Sequence, residues 1–133
     1  GREGQGQPVR AEERVFALRG AVQTDHNERE SILASTDELL REMIARNELT
    51  PEAMISCILT CTDDLDAEFP AVAARELGLS DVPLLCTREI AVPGSMPRVI
   101  RAMVHYYAPR DHKPAHTYLG AAAGLRSDLA SAQ

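Results

Sequence analysis

Apolar positions change their period several times along this chain, and each change marks a new element. Residues 14–23 (RVFALRGAVQ) alternate apolar and other side chains, which predicts a first strand. Gly20 inside it predicts a bulge or a close backbone approach. Over residues 28–46 the period lengthens. Ile32, Leu33, Thr36, Leu39, Leu40, Met43 and Ile44 recur at helical spacing, with Glu38, Arg41 and Glu42 on the solvated face. Asn27 and Glu30 match the N-cap and N3 positions of a capping box, and Asn47 closes the helix. Residues 54–62 (MISCILTCT) form a nearly continuous apolar run, which predicts a strand buried on both faces. The acidic turn 63–66 ends it. Residues 69–77 (FPAVAAREL) predict a short helix, with Pro70 in its first turn and Gly78 just past its end. A third strand is predicted over 82–92. Pro93-Gly94-Ser95 breaks it, and Ser95 can cap a helix over 96–107 whose stripe is Met96, Val99, Ile100, Met103, Val104 and Tyr107. After a polar loop at 109–114, residues 116–125 (HTYLGAAAGL) predict a last strand weakened by glycine in its second half.

This order predicts one α+β domain, with a sheet covered by helices on one face. It spans 14–126, between a disordered N-terminal tail (1–13) and a C-terminal tail (127–133). No further helix remains to cover the second sheet face. That face therefore predicts an oligomer in which the sheets of several subunits meet.

Composition narrows the function. The 133 residues suit one domain with a real core, which must be mostly aliphatic because aromatics are 4% and Trp is absent. A net charge of -6 argues against a nucleic-acid partner. No apolar run reaches membrane length and no signal peptide is visible, and Cys57, Cys61 and Cys86 cannot form a closed disulfide set. Together these predict a cytoplasmic protein. The two thiols Cys57 and Cys61 read as small buried side chains, with a metal-ligand role as the lesser alternative.

The motifs of a nucleophile elbow, a phosphate loop and a dinucleotide fold are all absent from the sequence. The four histidines have no obvious nucleophile partner. The cations are 13 Arg and one Lys, and several arginines stand near element ends: Arg19, Arg75, Arg101 and Arg126. Taken singly, each reads as a surface residue or an ion pair. A convergent set would suit a compact dicarboxylate, because a guanidinium fork matches a carboxylate.

Four segments carry a resemblance. LRGAV around Arg19, FPAVAAREL around Arg75, VPLLCTREIAVPGSMPRVIR up to Arg101, and YLGAAAGLRSDL around Tyr118 and Arg126 are similar to the monofunctional chorismate mutases of the Bacillus type. The similarity runs from about Val15 to Leu129. It implies a mixed sheet in a homotrimeric pseudo-α/β-barrel, with active sites between subunits. It also implies conversion of chorismate to prephenate, in phenylalanine and tyrosine synthesis, without metal or organic cofactor.

Carried over by position, Arg19 would bind a carboxylate near the ether oxygen. Arg101 would donate to that oxygen and to a carboxylate. Glu89 would accept from the substrate hydroxyl, helped by the Cys86 region, and Tyr118 would donate to a carboxylate. Phe69, Ala71, Arg75, Leu125 and Arg126 would line or charge the pocket across the interface. Val72 stands where some members carry Lys. The alternatives are an enamine/imine deaminase on a similar trimeric sheet, or a non-catalytic trimer that binds a pathway metabolite. The long match over residues 82–101 argues against the deaminase.

Overall fold

The computed structural model describes residues 12–125. Of the predicted tails, residues 1–11 and 127–133 lie outside the described residues, as does Arg126, while Glu13, placed in the N-terminal tail, opens the first strand. The elements are β1 (Glu13–Gln23), α1 (Arg29–Asn47), β2 (Met54–Cys61), α2 (Ala71–Glu76), β3 (Leu84–Arg88), β4 (Val99–Pro109) and β5 (Thr117–Leu119). The five strands form one mixed sheet in the order β3-β2-β4-β1-β5. Strand β4 runs antiparallel to both β1 and β2, while β3 is parallel to β2 and β5 is parallel to β1. The α+β class with a mixed sheet is as expected. No helix of the described residues is long and apolar enough to cross a membrane.

The largest departure from expectation is at 96–107. This segment is not a helix. Residues 99–109 form the central strand. Val99, Ile100, Val104, Tyr106 and Tyr107 all favour strands. Ile100 and Val104 satisfy helical and strand periods alike, so the apolar positions alone were ambiguous. Pairing on both edges decides the matter, and Arg98 at φ 55° turns the chain into the strand. Burial then alternates cleanly: Ile100, Ala102, Val104, Tyr106 and Ala108 face the core. Ser95 closes a turn on the Val92 carbonyl, 2.7 Å away, and caps no helix.

Three smaller corrections follow. Asn27 does not cap α1; the N-cap is Glu28, without a side-chain bond. Strand β2 is buried on one face only, through Met54, Cys57, Leu59 and Cys61. The predicted last strand holds only Thr117–Leu119 and then turns into a 3-10 segment, Gly120–Ala122.

Helix α1 covers one sheet face. Ile32, Leu39, Leu40 and Met43 pack there against Phe16, Leu18 and Val22 of β1 and Ile100 and Val104 of β4. Each such side chain contributes about 1.5–3 kcal/mol on burial. Gly20 is the close approach that its place in β1 suggested. A Cβ there would lie 2.5 Å from the Met43 sulfur.

Among the described residues, the other sheet face carries no long helix; only the 3-10 turn Gly120–Ala122 and the residues up to Leu125 pack on it, against Ala21. Strand alternation and register place on it Arg19 and Ala21 of β1, Arg101, Met103 and His105 of β4, and Ser56, Ile58 and Thr60 of β2.

Candidate active site

Arg101 stands near the middle of the sheet, on the uncovered face of β4. Its cross-strand neighbours are Ala21 on one side and Thr60 on the other. Arg19 is diagonal to it on β1, since Arg19 pairs with Met103. Tyr118 pairs with Ala21 on the β5 side. Two strands and a short edge strand therefore deliver two cations and a phenol to one face, from sequence positions up to about a hundred residues apart.

Glu89 completes this group. It lies just beyond β3, where its backbone N–H still donates to the Cys61 carbonyl at 2.9 Å. Its carboxylate reaches back over β2. The Nε of Arg101 lies 3.0 Å from Oε1 and 2.8 Å from Oε2. The Thr60 hydroxyl donates to Oε2. Both partners are partly withdrawn from water, with Glu89 18% and Arg101 36% exposed. Among the described residues, the hydrogen bond of Arg101 to Glu89 runs through Nε and not through Nη1 or Nη2. Arg19 has no carboxylate partner among the described residues.

Arg101 and Glu89 form one wall of a cleft of about 750 Å³, with Thr62, Ile90, Met96, Pro97 and Leu125 around them. Leu125, Tyr118 and Met96 also pack against Ala21, Val99 and Ala122, which braces the floor. A second cleft, of about 460 Å³, opens on the other side of the 86–89 segment. Phe69, Glu68, Cys86 and Arg88 line it. Its rim is the loop before α2, held by a clip that the sequence reading missed. The Asn27 side chain accepts from the backbone of Asp66 and Ala67 at 3.0 and 3.1 Å, and donates to the Asp66 carboxylate at 2.8 Å. Arg29 pairs with Glu68 at 2.9 Å. The backbone N–H of Phe69, then Arg29, holds the Glu68 carboxyl below the usual carboxylate range.

Within one chain the site residues fall into two groups. Arg19, Arg101 and Tyr118 share the uncovered sheet face, and Glu89 and Leu125 line the cleft beside Arg101. Phe69, Ala71, Arg75 and Cys86 do not join them. Phe69 and Cys86 line the second cleft, Arg75 is exposed on α2, and Ala71 is buried in the core. Cys86 is in register with the buried Leu59, on the face opposite Thr60, so it gives Glu89 no direct help. Val72, the position of the family lysine, is half-buried on α2. Thr60 was invisible to the sequence reading. Its signal lay in period 2, which puts it level with Arg101 only once 99–109 is a strand.

The remaining thiols are structural. Burial, with Cys86 nearby, pushes Cys57 up to about 12 and Cys61 up to about 11. Neither is a thiolate near neutral pH.

Comparison with known proteins gives the family and the fold. The family described as chorismate mutase type I matches residues 15–129. The chain is 43% identical to chorismate mutase AroH of Thermus thermophilus over 122 residues, covering 90% of this chain and 99% of the relative. It is 39% identical to chorismate mutase AroH of Bacillus subtilis over 118 residues, covering 86% and 92%. A solved chorismate mutase from Clostridium thermocellum superposes with a TM-score of 0.77 at 42% identity, covering 82% of this chain and 98% of that one.

Proposed function

The chain belongs to the type I chorismate mutases, isomerases that convert chorismate to prephenate, and from that premise we propose how its residues do so. The reaction is a unimolecular pericyclic shift in which a C–O bond breaks as a C–C bond forms. It asks for no nucleophile and no general base. It gains from holding a flexible substrate in its reactive chair, and from countering the negative charge that grows on the ether oxygen. Well-oriented reactions gain at most about 7–11 kcal/mol from restriction, and a single-substrate case gains less.

Arg101 supplies the electrostatic part. Its Nε is occupied by Glu89, so the fork is fixed before substrate arrives, and Nη1 and Nη2 point their protons to the ether oxygen and a carboxylate. A fixed charge in a water-poor cleft needs no reorganisation during the reaction. Arg19 and Tyr118 take the carboxylates, and Glu89 accepts from the substrate hydroxyl. The observation that carries this reading is the Glu89–Arg101 pair on the cleft wall, on the same sheet face as Arg19.

The protein works as a homotrimer, with each site completed by a neighbour. Two features support this. The uncovered sheet face and its surroundings expose Ile90 (87%), Phe69 (67%) and Leu85 (61%), large apolar side chains that a neighbouring subunit would cover. The Phe69 cleft and the Arg101 cleft are separate in one chain, yet both are half-open and border the same 86–89 segment. Docking one subunit's Phe69 rim over the next subunit's Arg101 cleft closes both, and brings Arg75 towards the substrate. The free cysteines fit a reducing cytoplasm.

The test is to incubate the folded protein with chorismate, follow loss of the diene absorbance, and measure the mass in solution. Turnover by a species of three chains is expected. Binding without turnover would favour the metabolite-sensing reading, and a fully active monomer would overturn the shared site.

A further inference from the structure

We propose that Thr60 is a positioning residue for this reaction: its hydroxyl locks the Glu89 carboxylate and, through it, the catalytic fork of Arg101. The proposal rests on the mechanism above. Thr60 occupies a singular place in the sheet. It lies directly opposite Arg101 on β4 and opposite Thr87 on β3. Its side chain is therefore level with the base of the Arg101 side chain, on the same face. Glu89 is anchored to the next residue of β2, through its N–H on the Cys61 carbonyl. The carboxylate folds back over Thr60 and meets the hydroxyl and Nε of Arg101 together.

Each of these contacts removes one freedom. The terminal torsion of a glutamate is broad and nearly two-fold, so an ion pair alone leaves the carboxylate free to rock about its axis. A carboxylate bound to a single guanidinium nitrogen tolerates such rocking. Donation from Thr60 to Oε2 fixes the rotation, because the hydroxyl sits on β2, an interior strand paired on both edges. With both oxygens placed, Nε has one best position and the two terminal nitrogens of Arg101 inherit it. A threonine is stiff at χ1, which makes it a better lock than a longer donor. Valine at this position would keep shape and strand propensity and lose only the lock.

The consequence is a kinetic signature. Misplaced donors act on the transition state more than on the ground state, so the loss belongs in kcat. Thr60→Val lowers kcat about tenfold and changes KM less than threefold, with an unchanged thermal midpoint. Thr60→Ser recovers most of that loss, whereas Thr60→Ala, which differs from it by one oxygen, does not. That pair keeps the comparison sound even where the valine variant folds poorly.

The decisive measurement is the cycle with Glu89. If Thr60 acts through the carboxylate, Thr60→Val in a Glu89→Ala background costs less than a further twofold. A full tenfold loss in that background, or a Thr60→Val enzyme with wild-type kcat, overturns the proposal. Failure of the wild-type protein to turn over chorismate would instead overturn the functional reading, and the two results cannot be confused.

Discussion

Replacing Arg101 by lysine separates charge from geometry. The arginine has three nitrogens with two duties. Nε holds Glu89, at 3.0 and 2.8 Å from its two oxygens, and the terminal pair serves the substrate. A lysine keeps the positive charge but offers one ammonium. It can neutralise Glu89, which is 18% exposed, or reach the ether oxygen, but not hold both in place. The variant therefore forfeits one fixed donor in the transition state. Such a loss costs about 2.7–4 kcal/mol, which is a fall in kcat of roughly 10²–10³. Arg101→Ala falls further, since it also strands a partly buried carboxylate without its cation. Initial rates of diene loss, at saturating chorismate, measure this directly. Circular dichroism and solution mass confirm that the fold and assembly survive. A lysine variant within tenfold of the wild-type kcat would refute the idea that an oriented fork, and not simply a charge, drives the reaction.

Three further outcomes test other parts of the structure. Glu89→Ala loses less activity than Arg101→Ala, because it removes the orienting partner and a hydroxyl acceptor but leaves the cation; unaltered binding and turnover would remove Glu89 from the site. Gly20→Ala destabilises by about 1–3 kcal/mol in urea unfolding, since the new Cβ meets the Met43 sulfur at 2.5 Å and the Thr117 carbonyl at 3.1 Å; equal or greater stability would show that β1 and α1 are not in close contact. Cys57 and Cys61 hold their protons up to about 12 and 11 in the folded chain, against about 8.5 when unfolded, so stability is intact below that lower value and falls as pH rises through 9 to 11. Urea midpoints should drop across that window, and less steeply in Cys57→Ala; identical slopes would mean that Cys57 is not buried as described.

Strand β1 and helix α1 were legible because each carries one unambiguous period over ten or more residues. Residues 99–109 were not, because Ile100 and Val104 fit a helix as well as a strand. Only the two neighbouring strands decide between them. That one ambiguity had a chemical cost. With Arg101 on a helix, its relation to Arg19 and Thr60 was out of reach, although all three residue types were in plain view. Asn27 was misjudged for a similar reason: its local spacing fits a cap, yet its side chain is used by a loop some forty residues away. The resemblance singled out Arg19, Glu89, Arg101 and Tyr118, and long-range pairing decides where the fold places them.

The strand order β3-β2-β4-β1-β5 also governs when this protein can fold. Strand β4 separates β1 from β2, so the first half of the chain has no sheet to form by itself. The ribosome releases Arg19 early, but its neighbours on both sides, β4 and β5, come from the last third. Pairings so distant in sequence favour slow, late folding. Until residue 109 has emerged, β1 and β2 present bare edges. A truncated or stalled chain would thus be a sticky intermediate and no partial enzyme, and the cell's demand on chaperones should fall on that interval of synthesis.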